Sequence, residues 1–176
     1  MTTATLRPAA PLSHAPHPPC LSPVSVRPAR PGDAAALAAL SEPFVRSGAL
    51  RERPFGVYAA HAADFLVAEA SDGTLQGCLA LRLHPAAGQR HGSVGVLYNF
   101  CVAGHRQGSG LGARLLGAAL ARARTQSLGA LFTATTGSGR LFLRHGFTPA
   151  PVSLAPAAWA RALDPRRGAR VLARGV

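Results

Sequence analysis

Six consecutive residues constrain the fold of this chain more than any other feature: Gln107, Gly108, Ser109, Gly110, Leu111 and Gly112. They follow an apolar stretch, 97–102, that is typical of a strand, and they open a helical pattern that runs from Leu111 to Gln126. Glycines in such a turn let the backbone approach a ligand, because no Cβ stands in the way. The first turn of the helix presents unpaired N–H groups and the positive end of the helix dipole. The segment therefore predicts a site for a phosphate or a diphosphate.

Three phosphate-binding motifs share this chemistry, and their spacings distinguish them. A P-loop ends in Gly-Lys-Ser or Gly-Lys-Thr, and this chain contains no lysine. A dinucleotide-binding motif fits Gly108, Gly110 and Ala113, but no Asp or Glu lies between Asp72 and Asp164 to bind a ribose. The third motif, Gln/Arg-x-x-Gly-x-Gly/Ala, is matched in full by the hexapeptide 107–112.

This third motif resembles the pyrophosphate loop of the GNAT superfamily, the acetyl-CoA-dependent N-acetyltransferases. Three further segments are similar to landmarks of that family and occur in the same order. Residues 24–33 (VSVRPARPGD) resemble its opening strand and helix cap, 64–81 its strand-turn-strand hairpin, and 141–147 (LFLRHGF) its closing helix. The resemblance covers about residues 24 to 176 and implies a GNAT fold. That fold has a central, mostly antiparallel twisted sheet with one parallel, splayed strand pair and helices on both faces.

The pattern along the chain predicts the same α/β architecture, a mixed sheet within a single domain at residues 24–176. Residues 1–23 are rich in Pro, Ala, Ser and Thr and cannot bury enough surface to become ordered, so we expect a disordered leader. A helix should begin after Asp33, a good N-cap, and the helix from Leu111 to Gln126 should be capped by Gly129. Strands are expected at 24–27, 65–69, 76–83, 94–102, 130–135, 152–154 and 170–173.

Composition excludes several classes of function. All nineteen strongly basic residues are Arg, and the formal charge of +12 attracts anionic ligands, but no nucleic-acid-binding motif accompanies it. Cys20, Cys78 and Cys101 are too widely spaced for a zinc site or a disulfide framework. No apolar run is long enough to span a membrane. We therefore expect a cytoplasmic protein that binds no nucleic acid, no membrane and no metal; a homodimer stays open.

The resemblance implies that acetyl-CoA lies over the splayed ends of the two central strands. Its pyrophosphate would bind the backbone N–H groups of the hexapeptide 107–112. Its pantetheine arm would pair with the main chain of Phe100, Cys101 and Val102, like a short added strand. Phe142 and Arg144 of the closing helix would complete the expected cofactor site.

Two catalytic groups that are common in the family are replaced in this chain. Many members carry a Glu in the strand before the loop, but residues 96–102 (VLYNFCV) contain no carboxylate. Many also carry a Tyr four residues before the Gly of the closing Gly-Phe, where this chain has Phe142. Tyr98, or a water held by Asn99, could carry protons instead, and acetyl transfer by proximity alone is the second interpretation.

The segment expected to bind the acetyl acceptor indicates that the acceptor is an amino acid. Residues 43–53 (PFVRSGALRER) resemble the acyl-acceptor helix-loop of N-acetylglutamate synthases, and Arg51 and Arg53 could bind a carboxylate there beside Tyr98. That branch normally has an Arg at the position of Tyr98. We therefore predict an N-acetyltransferase that acts on the primary amine of a small amino acid or analogue, by direct attack in a ternary complex. Another small amine or a protein N-terminus as acceptor, and a non-catalytic acyl-CoA-binding module, are the alternatives.

Overall fold

The structure is a computed structural model that describes residues 23–85 and 93–176. The expected leader 1–23 lies outside the described residues, apart from Pro23. The described ranges form seven strands: β1 Val24–Pro28, β2 Phe65–Ala70, β3 Leu75–His84, β4 Val94–Val102, β5 Ala130–Thr135, β6 Thr148–Pro149 and β7 Arg170–Gly175. The same ranges form five α-helices: α1 Ala34–Arg46, α2 Phe55–Ala60, α3 Leu111–Thr125, α4 Arg140–Arg144 and α5 Ala157–Arg161.

The seven strands of the described residues join in one sheet, in the order β1-β2-β3-β4-β5-β7-β6. All neighbours are antiparallel except β4 and β5, which are parallel. A parallel pair needs a crossover connection, and α3 supplies it between these two strands. The predicted fold class, a mostly antiparallel mixed sheet with one parallel pair, is confirmed.

The two faces of the sheet are covered by different helices, because side chains alternate along each strand. Leu79 and Leu81 of β3 join the core beneath α3, which contributes Leu111, Leu115, Leu116, Ala119, Leu120 and Ala123. Cys78 and Ala80 of the same strand join the core of the opposite face, to which α1 and α2 contribute Ala34, Leu37 and Tyr58. Helices therefore lie on both faces, as the sequence predicted.

The parallel pair β4–β5 separates part-way along its length. Residues 94–97 pair with residues 130–133, and the Thr133 Oγ1 donates to the carbonyl oxygen of Leu97 at 3.2 Å where the pairing stops. β4 continues to Val102, and the described chain shows no further pairing between it and β5. The sheet thus opens after Leu97, and one edge of β4 is left without a strand partner.

A bulge in β4 coincides with this opening. Tyr98 lies opposite Ala80 and Cys101 lies opposite Cys78, so β4 has two residues where β3 has one. Asn99, inside the bulge, has a φ of +49°, which is uncommon for a residue with a Cβ. A bulge bends a strand and increases its twist, and this one accompanies the separation of β4 from β5.

One strand prediction was wrong. Residues 152–154 form a 3-10 helix instead of a strand, and Thr148–Pro149 pairs with β7 in their place. Val152 and Leu154 are exposed in this segment, which follows Pro151, so an apolar pattern here did not mark a buried strand. Helix α3 ends at Thr125, one residue before the predicted Gln126, but Ser127, with a φ of +53°, adopts the left-handed conformation after it in place of the expected cap at Gly129.

Helix α1 begins directly after Asp33, as predicted, but the Asp33 side chain makes no capping hydrogen bond. Its carboxylate instead accepts from Arg27 Nη1 at 2.7 Å and from the Arg30 backbone N–H at 2.7 Å. Arg27 Nε also donates to Glu69 Oε2 at 2.7 Å. Because the guanidinium of Arg27 favours the charged carboxylates, the pKa values of Asp33 and Glu69 are both lowered. This ion-pair cluster joins β1, β2 and the start of α1.

Candidate functional site

The segment 107–112, here called the glycine loop, presents its backbone to an open space. Gly108 and Gly110 have φ values of +79° and +82°, a conformation that residues with a Cβ rarely adopt, and a Cβ on either would meet nothing within 4 Å. The first backbone N–H of α3 to bond back into the loop is that of Arg114, which donates to the Gly110 carbonyl at 3.1 Å. The first turn contains no acidic side chain that could cap the donors before it. The arrangement suits an anion.

The side chains of the glycine loop hold the loop itself. Ser109 Oγ donates to the carbonyl oxygen of Arg106 at 2.6 Å, and Gln107 Nε2 donates to that of Val102 at 3.2 Å. The side chain of Leu111 is buried in the core beneath α3. The backbone N–H groups of Gln107 and Ser109 are engaged as well, donating to the carbonyl oxygens of Gly104 at 3.2 Å and of Arg106 at 3.3 Å. The main chain of Gly108, Gly110, Leu111 and Gly112 is therefore the part of the loop best placed to contact a ligand.

Gly112 has a packing role. A Cβ on this residue would lie 3.2 Å from Leu141 Cδ2 and 3.4 Å from Phe100 Cζ, which is tighter than ordinary contacts. The missing side chain lets α3 approach β4 and α4 closely. Phe100 packs edge-to-face on Phe142 with ring centroids 5.7 Å apart. Phe142 is buried and has no ionisable group, and Arg144 is exposed at the end of α4.

A pocket of about 430 Å³ lies between the second half of α1 and the start of the glycine loop. It is lined by Ala39, Leu40, Pro43, Phe44, Ser47, Ala103, Gly104 and Gln107. The residues of α1 that line the pocket are mostly apolar. On its other side the pocket is lined by Ala103 and Gly104, which follow β4, and by Gln107. The pocket thus places an apolar wall beside Gln107, the first residue of the glycine loop.

Tyr98, the first residue of β4 beyond the pairing with β5, is the centre of a charged cluster. Its hydroxyl donates to Asp64 Oδ2 at 2.8 Å and accepts from Arg82 Nη2 at 2.9 Å. Arg82 Nε also donates to Asp64 Oδ2 at 2.9 Å. The guanidinium carbons of Arg53 and Arg82 each lie 5.0 Å from the centre of the Tyr98 ring. We call Arg53, Asp64, Arg82 and Tyr98 the tyrosine cluster.

Partial burial shapes the ionisation of this cluster. Burial, and to a smaller extent the hydrogen bond to Asp64, raises the pKa of Tyr98 well above its usual value. The phenol is therefore protonated at neutral pH. Burial also lowers the pKa of Arg53, because desolvation disfavours its charged form. The tyrosine cluster therefore combines a neutral phenol, one carboxylate and two guanidinium groups.

Asn99 lies in a different environment from its neighbour Tyr98. It is buried, and its Nδ2 donates to Ser41 Oγ at 2.8 Å and contacts Cys78 Sγ at 3.6 Å. Its Oδ1 is buried without a hydrogen-bond partner in the described chain. The side chain thus faces α1 and secures the bulge of β4.

Cys101 is also directed away from the opening between β4 and β5. Its Sγ lies 3.5 Å from the Sγ of Cys78, and both are free, buried thiols. The contact with Cys101 and complete burial raise the pKa of the Cys78 thiol. Phe100 and Val102, on either side of Cys101, are half-buried. Within residues 100–102 the main chain is therefore the part best placed to meet a ligand.

The two arginines singled out from the sequence lie at different places. Arg51 Nη1 donates to the carbonyl oxygen of Ala162 at 2.9 Å and so joins the α1–α2 connection to the end of α5. Arg53 Nη1 donates to the carbonyl oxygen of Arg51 at 3.0 Å, and its guanidinium covers the ring of Tyr98. The structure thus brings Arg53, but not the Arg51 guanidinium, to the tyrosine cluster.

Sequence reasoning missed Asp64 and Arg82. Arg82 lies two residues from Ala80, the partner of Tyr98 across the sheet, so the contact is a diagonal one between neighbouring strands. Knowing the β3–β4 register would have revealed Arg82. Asp64 precedes β2 by one residue, and no local pattern distinguishes it from a turn carboxylate.

The described residues contain no group of three or more His, Cys, Asp or Glu side chains that could hold a metal ion. Across the same part of the chain, no helix has the combination of length and apolar character that crossing a bilayer requires.

Curated relatives of this chain are amino-acid acetyltransferases. The one from Neisseria meningitidis serogroup A is 33% identical over 127 residues, which is 72% of this chain and 28% of that protein. The one from Ralstonia nicotianae is 37% identical over 124 residues, which is 70% of this chain and 26% of that protein. The chain thus spans little more than a quarter of the curated relatives it matches.

The fold and the sequence profile lead to one family. N-acetylglutamate synthase from Neisseria gonorrhoeae, complexed with coenzyme A and N-acetyl-glutamate, is similar with a TM-score of 0.77 at 29% identity. The match covers 88% of this chain and 35% of that chain. The profile of the acetyltransferase (GNAT) family matches residues 35–147, more than half of the chain. The predicted resemblance is confirmed, and this chain belongs to the acetyltransferase (GNAT) family.

Proposed function

We propose that this chain transfers an acetyl group from acetyl-CoA to the primary amine of a small amino acid or an analogue, by direct attack in a ternary complex. The observation that carries the proposal is the glycine loop, which has open space beside Gly108 and Gly110 and leads into the first turn of α3. Family membership and the names of the curated relatives support the same activity.

The cofactor would be held mainly by main-chain atoms. The N–H groups of Gly108, Gly110, Leu111 and Gly112 would bind the diphosphate, where the helix dipole favours negative charge; the Ser109 N–H is engaged with the Arg106 carbonyl oxygen. The edge of β4 at residues 100–102, which has no strand partner on the β5 side in the described chain, would pair with the amide groups of the pantetheine arm. Phe142 would support Phe100 from behind, and the exposed Arg144 would add a positive charge. The Neisseria gonorrhoeae structure, which contains coenzyme A, supports this assignment.

Acetyl transfer needs an aligned, deprotonated amine more than it needs a covalent catalyst. The amine nitrogen forms a bond to the thioester carbon, the carbon–sulfur bond breaks, and coenzyme A leaves as a thiol after gaining a proton. Holding both substrates in one site can supply several kcal/mol of the barrier, about 7 in well-oriented cases. A backbone N–H of β4 near the opening would stabilise the negative charge that develops on the carbonyl oxygen.

The tyrosine cluster would form the acceptor side. Arg53 is half-buried and lies against Tyr98, and we assign it to the carboxylate of the amino acid. Tyr98 is the best-placed group for proton transfer, because it lies directly beyond the last β4–β5 pair. Asn99 would contribute by holding the β4 bulge, and Arg51 by fixing the connection that carries Arg53.

A screen of acceptors tests the activity. Acetyl-CoA is incubated with the protein and each of the twenty standard amino acids, with spermidine, and with a short peptide that has a free N-terminus, and released coenzyme A is measured by chromatography. We expect release that depends on one or a few α-amino acids, L-glutamate among the first to try because of the relatives' names. Release with the peptide or with spermidine alone would contradict an amino-acid acceptor. Tight binding of coenzyme A without acceptor-dependent release would instead indicate a non-catalytic module.

A further inference from the structure

The hydrogen bonds of Tyr98 fix the direction of its hydroxyl. Asp64, in an ion pair with Arg82, can only accept hydrogen bonds, and the Arg82 guanidinium can only donate. The single proton of the Tyr98 hydroxyl is therefore directed to Asp64 Oδ2, 2.8 Å away, and Arg82 occupies one lone pair of the phenol oxygen. A tyrosine hydroxyl has one proton and a second lone pair, so toward a substrate Tyr98 acts as an acceptor.

This direction determines which of the two substrates Tyr98 serves. A leaving thiolate needs a proton donor, and the hydroxyl of Tyr98 already donates its proton in a hydrogen bond to Asp64. An attacking amine needs a hydrogen-bond acceptor, and the free lone pair of Tyr98 provides one at the point where β4 leaves β5. Tyr98 therefore belongs to the amine side of the reaction.

We propose that Asp64 is the positioning residue of the reaction, which holds Tyr98 as a hydrogen-bond acceptor for the incoming amine and takes up the proton that the amine loses. This inference rests on the proposed acetyl transfer. Asp64 would supply the carboxylate that β4 itself lacks, although it lies 34 positions before Tyr98 in the chain.

The proton transfer balances without a further reagent. The ammonium group of the acceptor gives one proton to the phenol oxygen of Tyr98 as the phenol proton moves to Asp64 Oδ2. The amine becomes neutral, Tyr98 remains a phenol, and Asp64 becomes a carboxylic acid. The Asp64 side chain is 23% exposed, so it returns the proton to water.

The charges around Tyr98 act in the same direction. Arg53 and Arg82 flank the ring, and they disfavour a second positive charge and so the ammonium form of the acceptor. His84, further along β3, has its pKa lowered by burial and by Arg82, and so adds little positive charge at neutral pH. Among these groups around Tyr98, Asp64 is the one that carries a carboxylate.

The decisive variant is Asp64→Asn, which keeps the size and a hydrogen-bond acceptor for Tyr98 but cannot take up a proton. With acetyl-CoA and L-glutamate, or the best acceptor of the amino-acid screen, we expect kcat to fall by about 100-fold, the range of general base catalysis. The KM for acetyl-CoA should be unchanged. Asp72→Asn, the same change at the exposed β2–β3 turn, is the matched control and should have wild-type kcat.

A second measurement needs no activity. The chain contains two tyrosines, so Tyr58→Phe leaves Tyr98 as the only one. Its ionisation can then be followed by ultraviolet absorbance. Because the Asp64 carboxylate opposes a phenolate, adding Asp64→Asn should lower the pKa of Tyr98 and increase its ionised fraction at about pH 11.

The outcomes separate this inference from the proposed function. If the wild-type protein shows no acceptor-dependent release of coenzyme A, both fail together. If the wild type is active and Asp64→Asn retains its kcat, the proton role of Asp64 is refuted and acetyl transfer stands. An unchanged ionisation of Tyr98 in Asp64→Asn would refute the contact between the two side chains.

Discussion

The two halves of the candidate site are built in opposite ways. The glycine loop consists of six consecutive residues, and it offers main-chain donors whose positions depend on φ angles and on the start of one helix. The tyrosine cluster draws four side chains from four separate segments and depends on the register of β3 against β4. β4 carries Tyr98 of the tyrosine cluster and leads through residues 103–106 to the glycine loop. The glycine loop therefore depends on local backbone conformation, whereas the tyrosine cluster depends on contacts between side chains that are distant in the chain.

The largest effect is expected from Gly110→Val, which tests the main-chain half. A branched side chain at a φ of +82° is strained by about 1–2 kcal/mol, and it would project into the space that the diphosphate needs. Losing two hydrogen bonds to a charged group costs about 3 kcal/mol, so the affinity for coenzyme A should fall by about 100-fold. Isothermal titration calorimetry measures the change.

Gly117→Ala is the matched control, since Gly117 lies within α3, has no unusual φ and has open space around it. It should bind coenzyme A like the wild type. A folded Gly110→Val variant with unchanged affinity would mean that the glycine loop is not the cofactor site.

A smaller effect, confined to the acceptor, is expected from Arg53→Ala. A charged hydrogen bond contributes about 1.5–3 kcal/mol, so the KM for an anionic amino acid should rise by about 10- to 100-fold, with the KM for acetyl-CoA unchanged. Steady-state kinetics with each substrate varied in turn will show the difference. Arg46→Ala, an exposed residue in a weak pair with Glu42, is the control. A rise in both KM values would show that the two halves are not independent.

The smallest effect concerns stability and is expected at Arg27. Its hydrogen bonds are to Pro28, Asp33 and Glu69, which belong to neither half of the site. Arg27 holds the pKa values of Asp33 and Glu69 below their unfolded values of about 4, so its stabilisation is present above that pH and is lost as the pH falls. Arg27→Ala should therefore lower the Tm at pH 7 by more than at about pH 3, where part of the stabilisation has been lost. Thermal melts at both pH values provide the measurement. A Tm difference that is equal at both would contradict the linkage.

The sequence predicted most of the strands and the glycine loop, which depend on neighbouring residues, but few of the contacts between residues that are distant in the chain. The bounds of β4 and β5 and the glycine loop follow from apolar runs and glycine spacing, which act over a few residues. The partners of Tyr98 and Asn99 are 16 to 58 positions away and meet them only once the register and the bulge are known. The strand expected at 152–154 failed for a related reason: an apolar pattern does not show whether the tertiary structure will cover it.

The most direct test of the diphosphate site compares two ligands on the wild-type protein by calorimetry. Dephospho-coenzyme A contains the diphosphate without the 3′-phosphate, and pantetheine contains the arm without any phosphate. If the glycine loop binds the diphosphate, dephospho-coenzyme A should bind at least about 100-fold more tightly than pantetheine, and Gly110→Val should abolish most of that difference. Equal affinities for the two ligands, or a preference that survives Gly110→Val, would contradict the assignment of the glycine loop.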